Sequence, residues 1–209
     1  MWPFRARLPV WLSALAISLL MASCAGLGVG KENPIAAWAQ GPVRWLLQPR
    51  EWRALRRVRT DQQASVFIEE FWRRRDPTPE SPGNAVAKRF FRRVRDADRL
   101  YAEDHQRGSL TDRGRALILL GAPSQLTLTH RPALAWEPHA GAGGARDLLA
   151  AVEIWGYSPS DLDPPLRRAL TGKAREHGIE LTFYLEAGKV RLVNGEHYLE
   201  LAAETLVRR

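Results

Sequence analysis

Thr111-Asp112-Arg113-Gly114-Arg115-Ala116-Leu117-Ile118-Leu119-Leu120-Gly121-Ala122-Pro123 is the stretch on which the fold turns. Before it, apolar residues recur at helical spacing, and after it they come in short runs and alternations. The compact run Ala116 to Leu120, stopped by Gly121-Ala122-Pro123, predicts a buried strand and the start of a sheet.

Working upstream, Pro49 to Arg75 is helical in pattern with a break near Thr60. Thr60 is a good N-cap, and Gln63 completes the sequence signature of a capping box. Ala64, Phe67, Ile68, Phe71 and Trp72 then form one buried face, and Pro77 and Pro79 end the helix. A second helix is predicted from about Asn84 to Glu103. Its core side carries Val86, Phe90, Val94, Ala97 and Tyr101. Its other side carries a basic stripe of Lys88, Arg92, Arg95 and Arg99, flanked by Asp96 and Asp98. Further upstream, Gly41-Pro42 marks a turn before the apolar stretch Val43 to Leu47.

Downstream, Leu126 to Thr129 alternates with threonine as a strand does, and Val152 to Tyr157 reads as another strand. Arg131 to Arg146, rich in proline and glycine, reads as a surface loop. Ile179 to Glu186 and Val190 to Val193 form a hairpin about Ala187-Gly188-Lys189, followed from about Tyr198 by a short amphipathic helix. Helices first and strands afterwards predict an α+β domain, with N-terminal helices packed on a small, mainly antiparallel sheet.

The N-terminus has a different logic. Arg5 and Arg7 precede the apolar run Leu8 to Ala22, which is interrupted only by Ser13 and Ser18 and ends at Ala22-Ser23-Cys24. A charged start, an apolar run shorter than the roughly 20 residues of a membrane span, and small residues before a cut are the features of an export signal. The ending resembles the bacterial lipobox, which implies cleavage before Cys24 and acylation of its thiol. Under that family's sorting rule, Ala25 implies an outer-membrane destination facing the periplasm. The expected organisation is a signal over 1–23, a Gly-rich tether over 24–33 and one domain over 34–209.

Composition agrees with a globular chain: of 209 residues, 45% are hydrophobic and 26% charged. The net charge of +8 falls to +6 once Arg5 and Arg7 are removed. Export takes nucleic acid away as a partner, which leaves anionic lipid head groups or plain solubility to account for that charge. Cys24 is the single cysteine, so no internal disulfide and no Cys-cluster metal site is possible. The five histidines are scattered, with no i, i+4 pair, and neither a metal nor a cofactor is expected.

Several stretches resemble the bacterial GWxTD-domain family, which is named for a short motif. They are Gly41-Pro42-Val43-Arg44-Trp45-Leu46-Leu47 and Phe71-Trp72-Arg73-Arg74-Arg75-Asp76-Pro77-Thr78-Pro79. Thr111-Asp112-Arg113-Gly114-Arg115, Leu119-Leu120-Gly121-Ala122-Pro123 and Glu153-Ile154-Trp155-Gly156-Tyr157 continue the likeness. The naming motif departs at one place, where Gly108 is followed by Ser109 instead of tryptophan. A looser likeness, a strand ending Leu-Gly-x-Pro before a Trp-x-Tyr strand, connects the chain to small outer-membrane assembly lipoproteins.

The candidate site residues are Trp72, Arg75, Asp76, Asp112, Arg113 and Trp155. Asp76 and Asp112, each beside an arginine, are either an acid/base or ligand-binding set across a cleft, or ion pairs and turn caps that lock helices onto the sheet. Trp72, Trp155 and Tyr157 are either core aromatics or a ligand platform. The basic stripe is either a solvated face or a surface for anionic head groups. The expected function is a lipid-anchored envelope protein with a non-enzymatic binding or assembly role, its partners being membrane lipid and possible envelope proteins. The alternative is a periplasmic enzyme acting on envelope material through Asp76 and Asp112.

Overall fold

A computed structural model describes residues 35–132, 149–186 and 188–207. Cys24 with the signal and tether, the stretch 133–148 and Ala187 lie outside the described residues. Among the described residues, the chain runs through α1 (Ala36–Gln40), a 3-10 turn (Pro42–Trp45), α2 (Pro49–Leu55), α3 (Asp61–Arg73) and α4 (Ala85–Leu100). A second 3-10 turn (Gly108–Leu110) leads into α5 (Asp112–Leu120), β1 (Gln125–Pro132) and β2 (Leu149–Tyr157). Next come α6 (Pro164–Ala169), α7 (Gly172–His177), β3 (Ile179–Glu186), β4 (Lys189–Asn194) and α8 (Glu196–Thr205). The four strands form an antiparallel meander in the order β1-β2-β3-β4. The fold class is α+β, with α1 to α5 ahead of the sheet, α6 and α7 inserted between β2 and β3, and α8 after β4.

The helix starts follow from capping chemistry. Thr60 Oγ1 accepts from the Gln63 N–H at the start of α3, and Asn84 Oδ1 accepts from the Ala87 N–H at the start of α4. The predicted box at Thr60 is incomplete, because the Gln63 side chain accepts from the Arg59 N–H and not from that of Thr60. A full capping box stands instead at α2, where Gln48 and Glu51 satisfy each other's backbone and Pro49 takes the first helical position.

The deciding stretch is a helix and not a strand. Thr111 caps α5 by accepting from the Gly114 N–H, and Ala116 to Leu120 are buried on every side. The run looked like a strand because α5 packs at once on α4, α8, β4 and the first 3-10 turn, so no face was left to be polar. With Leu120 closing a helix, the Leu-Gly-x-Pro likeness to assembly lipoproteins loses its strand.

Two glycines permit this centre. A Cβ on Gly108 would stand 2.0 Å from the Ala97 carbonyl oxygen, and one on Gly114 would stand 1.7 Å from that of Gly108. The second 3-10 turn therefore lies backbone to backbone between α4 and α5. Arg93, reaching from α4, donates to the Ile118 and Leu119 carbonyls and closes the far end of α5. Burial pushes the Arg93 guanidinium pKa below its ordinary value, against the opposing pull of Asp163.

The sheet presents Trp155, Leu181 and Phe183 to the helices, and all three are fully buried. Phe71, Phe90, Val94 and Ala97 come from the helical side of the same core. Trp72 bridges α3 and α4, edge-on to Phe71 at 5.1 Å and tilted on Phe90 at 5.4 Å. Among the described residues, no helix is long and apolar enough to cross a membrane.

Candidate functional site

The six candidate residues fall into two clusters, joined to different elements. At the end of α3, Arg75 is buried and donates from both terminal nitrogens to Glu51, at 2.9 and 2.8 Å. It also donates to the Phe71 and Leu46 carbonyls at 3.0 and 2.7 Å, and its guanidinium lies 3.7 Å from the Phe71 ring centroid. Arg74 adds a third bond to Glu51 at 2.9 Å. Burial acts to raise the Glu51 pKa, but hydrogen bonds from Arg75, the Gln48 backbone and Arg74 outweigh it and hold it below the ordinary value. Asp76 accepts from the Thr78 N–H at 3.0 Å and organises the turn into Pro77 and Pro79.

The second cluster lies between α5 and the sheet. Asp112 accepts from the Leu192 N–H of the edge strand β4 at 2.8 Å. Arg113 reaches Glu103 at 3.5 Å and Glu153 at 3.4 Å, and lies 5.2 Å from the centre of the Tyr101 ring. The Trp155 indole N–H donates to Glu153 at 2.6 Å, and the ring packs on Tyr101 and Phe183. Burial also pushes the Tyr157 phenol pKa far up, and its hydroxyl donates to the Gly121 carbonyl at 3.3 Å.

Asp76 and Asp112 therefore each accept from a backbone N–H, one within a local turn and the other across the α5–sheet contact. Neither lines the two described hollows. One is apolar, ≈ 480 Å³ around Val58, Val66 and Phe67. The other, ≈ 400 Å³, is polar and lies around Trp45. Among the described residues, no three His, Cys, Asp or Glu side chains gather as a metal ion would need.

Several participants were not singled out from sequence. Glu51 carried a readable signal, a proline at the first helical position and a carboxylate two residues later. Glu153 did too, since it sits two residues from Trp155 and so shares its inward face. Trp45 and Arg115 stood in stretches that carry the family likeness without being singled out, while Glu103, Glu200 and Glu204 are brought in by tertiary packing and had no local signal.

The basic stripe is exposed at Lys88, Arg92, Arg95 and Arg99. Arg99 pairs with Asp96 at 3.5 Å, while Asp98 turns away to accept from Ser109 and Arg107. Burial acts to raise the Asp98 pKa, but the bonds from Ser109 and Arg107 hold it below its ordinary value. The stripe is not bordered by polar residues alone: Phe91, one turn before Arg95, is 45% exposed.

What these contacts define is an α+β domain whose charged motif residues fasten helices to one another and to the edge of a sheet. Residues 36–139 match the family model of the GWxTD domain, and the chain belongs to that family. No curated protein and no solved structure matches it.

The naming motif acquires a physical meaning here. Gly108 permits the close approach to α4, and Thr111 caps α5 while donating its hydroxyl to the Gly108 carbonyl at 2.8 Å. Asp112 closes the β4 edge. Ser109, standing where the motif has tryptophan, is fully buried, and its carbonyl accepts from the Trp45 indole N–H at 2.9 Å.

Proposed function

We propose that this protein is a lipid-anchored cell-envelope protein, acylated on Cys24, held at the outer membrane facing the periplasm, with a binding or assembly role. The observation that carries the anchor is the apolar run Leu8 to Ala22 ending at Ala22-Ser23-Cys24 behind Arg5 and Arg7. A thiolate is the nucleophile that thioether formation with a lipid requires. What supports binding over chemistry is the use made of Asp76 and Asp112. Each is engaged with a backbone N–H, in separate clusters, and neither lines the polar hollow found among the described residues. The test is labelling with radioactive palmitate: the wild-type chain takes up label, and Cys24→Ser does not and accumulates as a precursor. An unlabelled wild-type chain refutes the anchor.

A further inference from the structure

The polar hollow is where three separated parts of the chain meet. Arg44 and Trp45 come from the first 3-10 turn, Arg115 from the first turn of α5, and Glu200 and Glu204 from α8. Two of these parts are stretches that carry the family likeness, and α8 lies beyond the matched residues. At ≈ 400 Å³ the hollow has the size of a small-molecule site.

Its charges are unevenly spent. Arg115 is committed, being paired with Glu196 and lying 5.0 Å from the Trp45 ring centroid. Arg44 lies 5.4 Å from the centroid of the same ring and has no ion pair among the described residues. Glu200 and Glu204, one helical turn apart, have none among the described residues either. One positive and two negative side chains, all three exposed, thus have no ion pair among the described residues around a half-enclosed space. Leu47, Pro49 and Ala203 add apolar wall between them.

The complement of that set is one carboxylate, two amino groups and an aliphatic stem. We propose that the hollow binds an amino acid or short peptide of this kind, with its carboxylate at Arg44, its amino groups at Glu200 and Glu204, and its methylenes along the apolar wall. This rests on the binding role proposed above and not on the anchor.

The Trp45 indole N–H, which is bonded to Ser109, is a natural reporter. The detergent-solubilised full chain, labelled with ¹⁵N at tryptophan, is titrated with glycyl-lysine, with its C-terminal amide and with glycyl-norleucine. Glycyl-lysine is expected to shift the Trp45 indole signal saturably. The amide, lacking the carboxylate, and the norleucine peptide, lacking the second amine, are each expected to bind about fivefold more weakly. Arg44→Gln should abolish the preference for acid over amide. Glu200→Gln with Glu204→Gln should abolish the preference for lysine over norleucine. The other indole signals report whether each variant keeps its fold. No saturable shift at millimolar peptide, or equal shifts from all three peptides, overturns the proposal and leaves these side chains as solvated charges. Palmitate labelling is unaffected in either case, so the two readings fail separately.

Discussion

Glu51→Ala is the perturbation expected to damage this fold most through a single polar group. Glu51 and Arg75 are both buried, and Arg75 has no other carboxylate partner among the described residues. Removing one member of a buried ion pair typically costs about 3–5 kcal/mol, because the other charge is left uncompensated. The Phe71 and Leu46 carbonyls still accept from Arg75, which places the expected loss near about 3 kcal/mol. That is a large part of a typical domain's stability and corresponds to roughly 6–12 °C in Tm for a chain of this size. The assay is a denaturant titration of the purified chain, followed by tryptophan fluorescence and circular dichroism together. Replacing both partners, as Glu51→Met with Arg75→Met, should recover most of the loss, since an apolar pair carries no desolvation penalty. A Glu51→Ala chain with the midpoint of wild type would refute the reasoning. So would a double variant no better than the single one. The pH dependence has a definite sign. The folded pKa of Glu51 is depressed, so its contribution is complete above the usual glutamate value near 4.3 and is lost as pH falls through the lower folded value. Glu51→Gln should therefore flatten the loss of stability on acidification below about pH 4.

Phe71→Ala and Phe90→Ala should each cost about 3–5 kcal/mol, and wild-type melting in both would contradict the core described for α3 and α4. Asp112→Ala uncaps the Leu192 N–H and should cost about 1–3 kcal/mol. Faster hydrogen exchange at the Leu192 amide is its specific signature, and unchanged exchange there would remove the edge-capping role. Replacing Lys88, Arg92, Arg95 and Arg99 with glutamine in a chain beginning at Pro34 tests the stripe against anionic and neutral vesicles. Salt-sensitive binding to anionic vesicles alone, lost in the variant, is the expected result at about 1 kcal/mol per basic side chain. Equal or absent binding in both chains makes the stripe a solvated face.

The helices α3 and α4 were legible because each has one wet face, so the apolar period survives in the sequence. The cap at Thr60 was legible as well, since N-capping is local chemistry, and the start of the second helix was placed at about Asn84. The helix α5 was not. Ala116 to Leu120 touch protein all round, and a run with no polar side carries no period to separate helix from strand. The helices α6 and α7 gave no readable pattern, being barely two turns each. At the site, Asp112 and Arg113 could be named from their motif, but their pairing with Leu192, Glu103 and Glu153 could not, even though Glu153 shares the inward face of Trp155. Those partners are 80, 10 and 40 residues away: Leu192 and Glu153 arrive with the sheet, and Glu103 with the segment between α4 and the second 3-10 turn.

The central placement of α5 also sets an order on the chain's self-assembly. The helix is covered by α4 and the two 3-10 turns, whose residues precede it, and also by β4 and α8, which follow. The fastenings of α5 to them span 80 residues from Asp112 to Leu192 and 81 from Arg115 to Glu196, and Glu103, upstream of α5, reaches Val190 across 87. Loops of that length close slowly, and their closure must come before the contacts that reward it. A nascent chain that has emerged as far as β1 holds most of the family's matched residues, yet α5 still lacks the cover of β4 and α8. Until β4 and α8 arrive, part of the apolar surface of α5 has no cover within the fold, and exposed surface of that kind is what makes partly folded chains prone to aggregate.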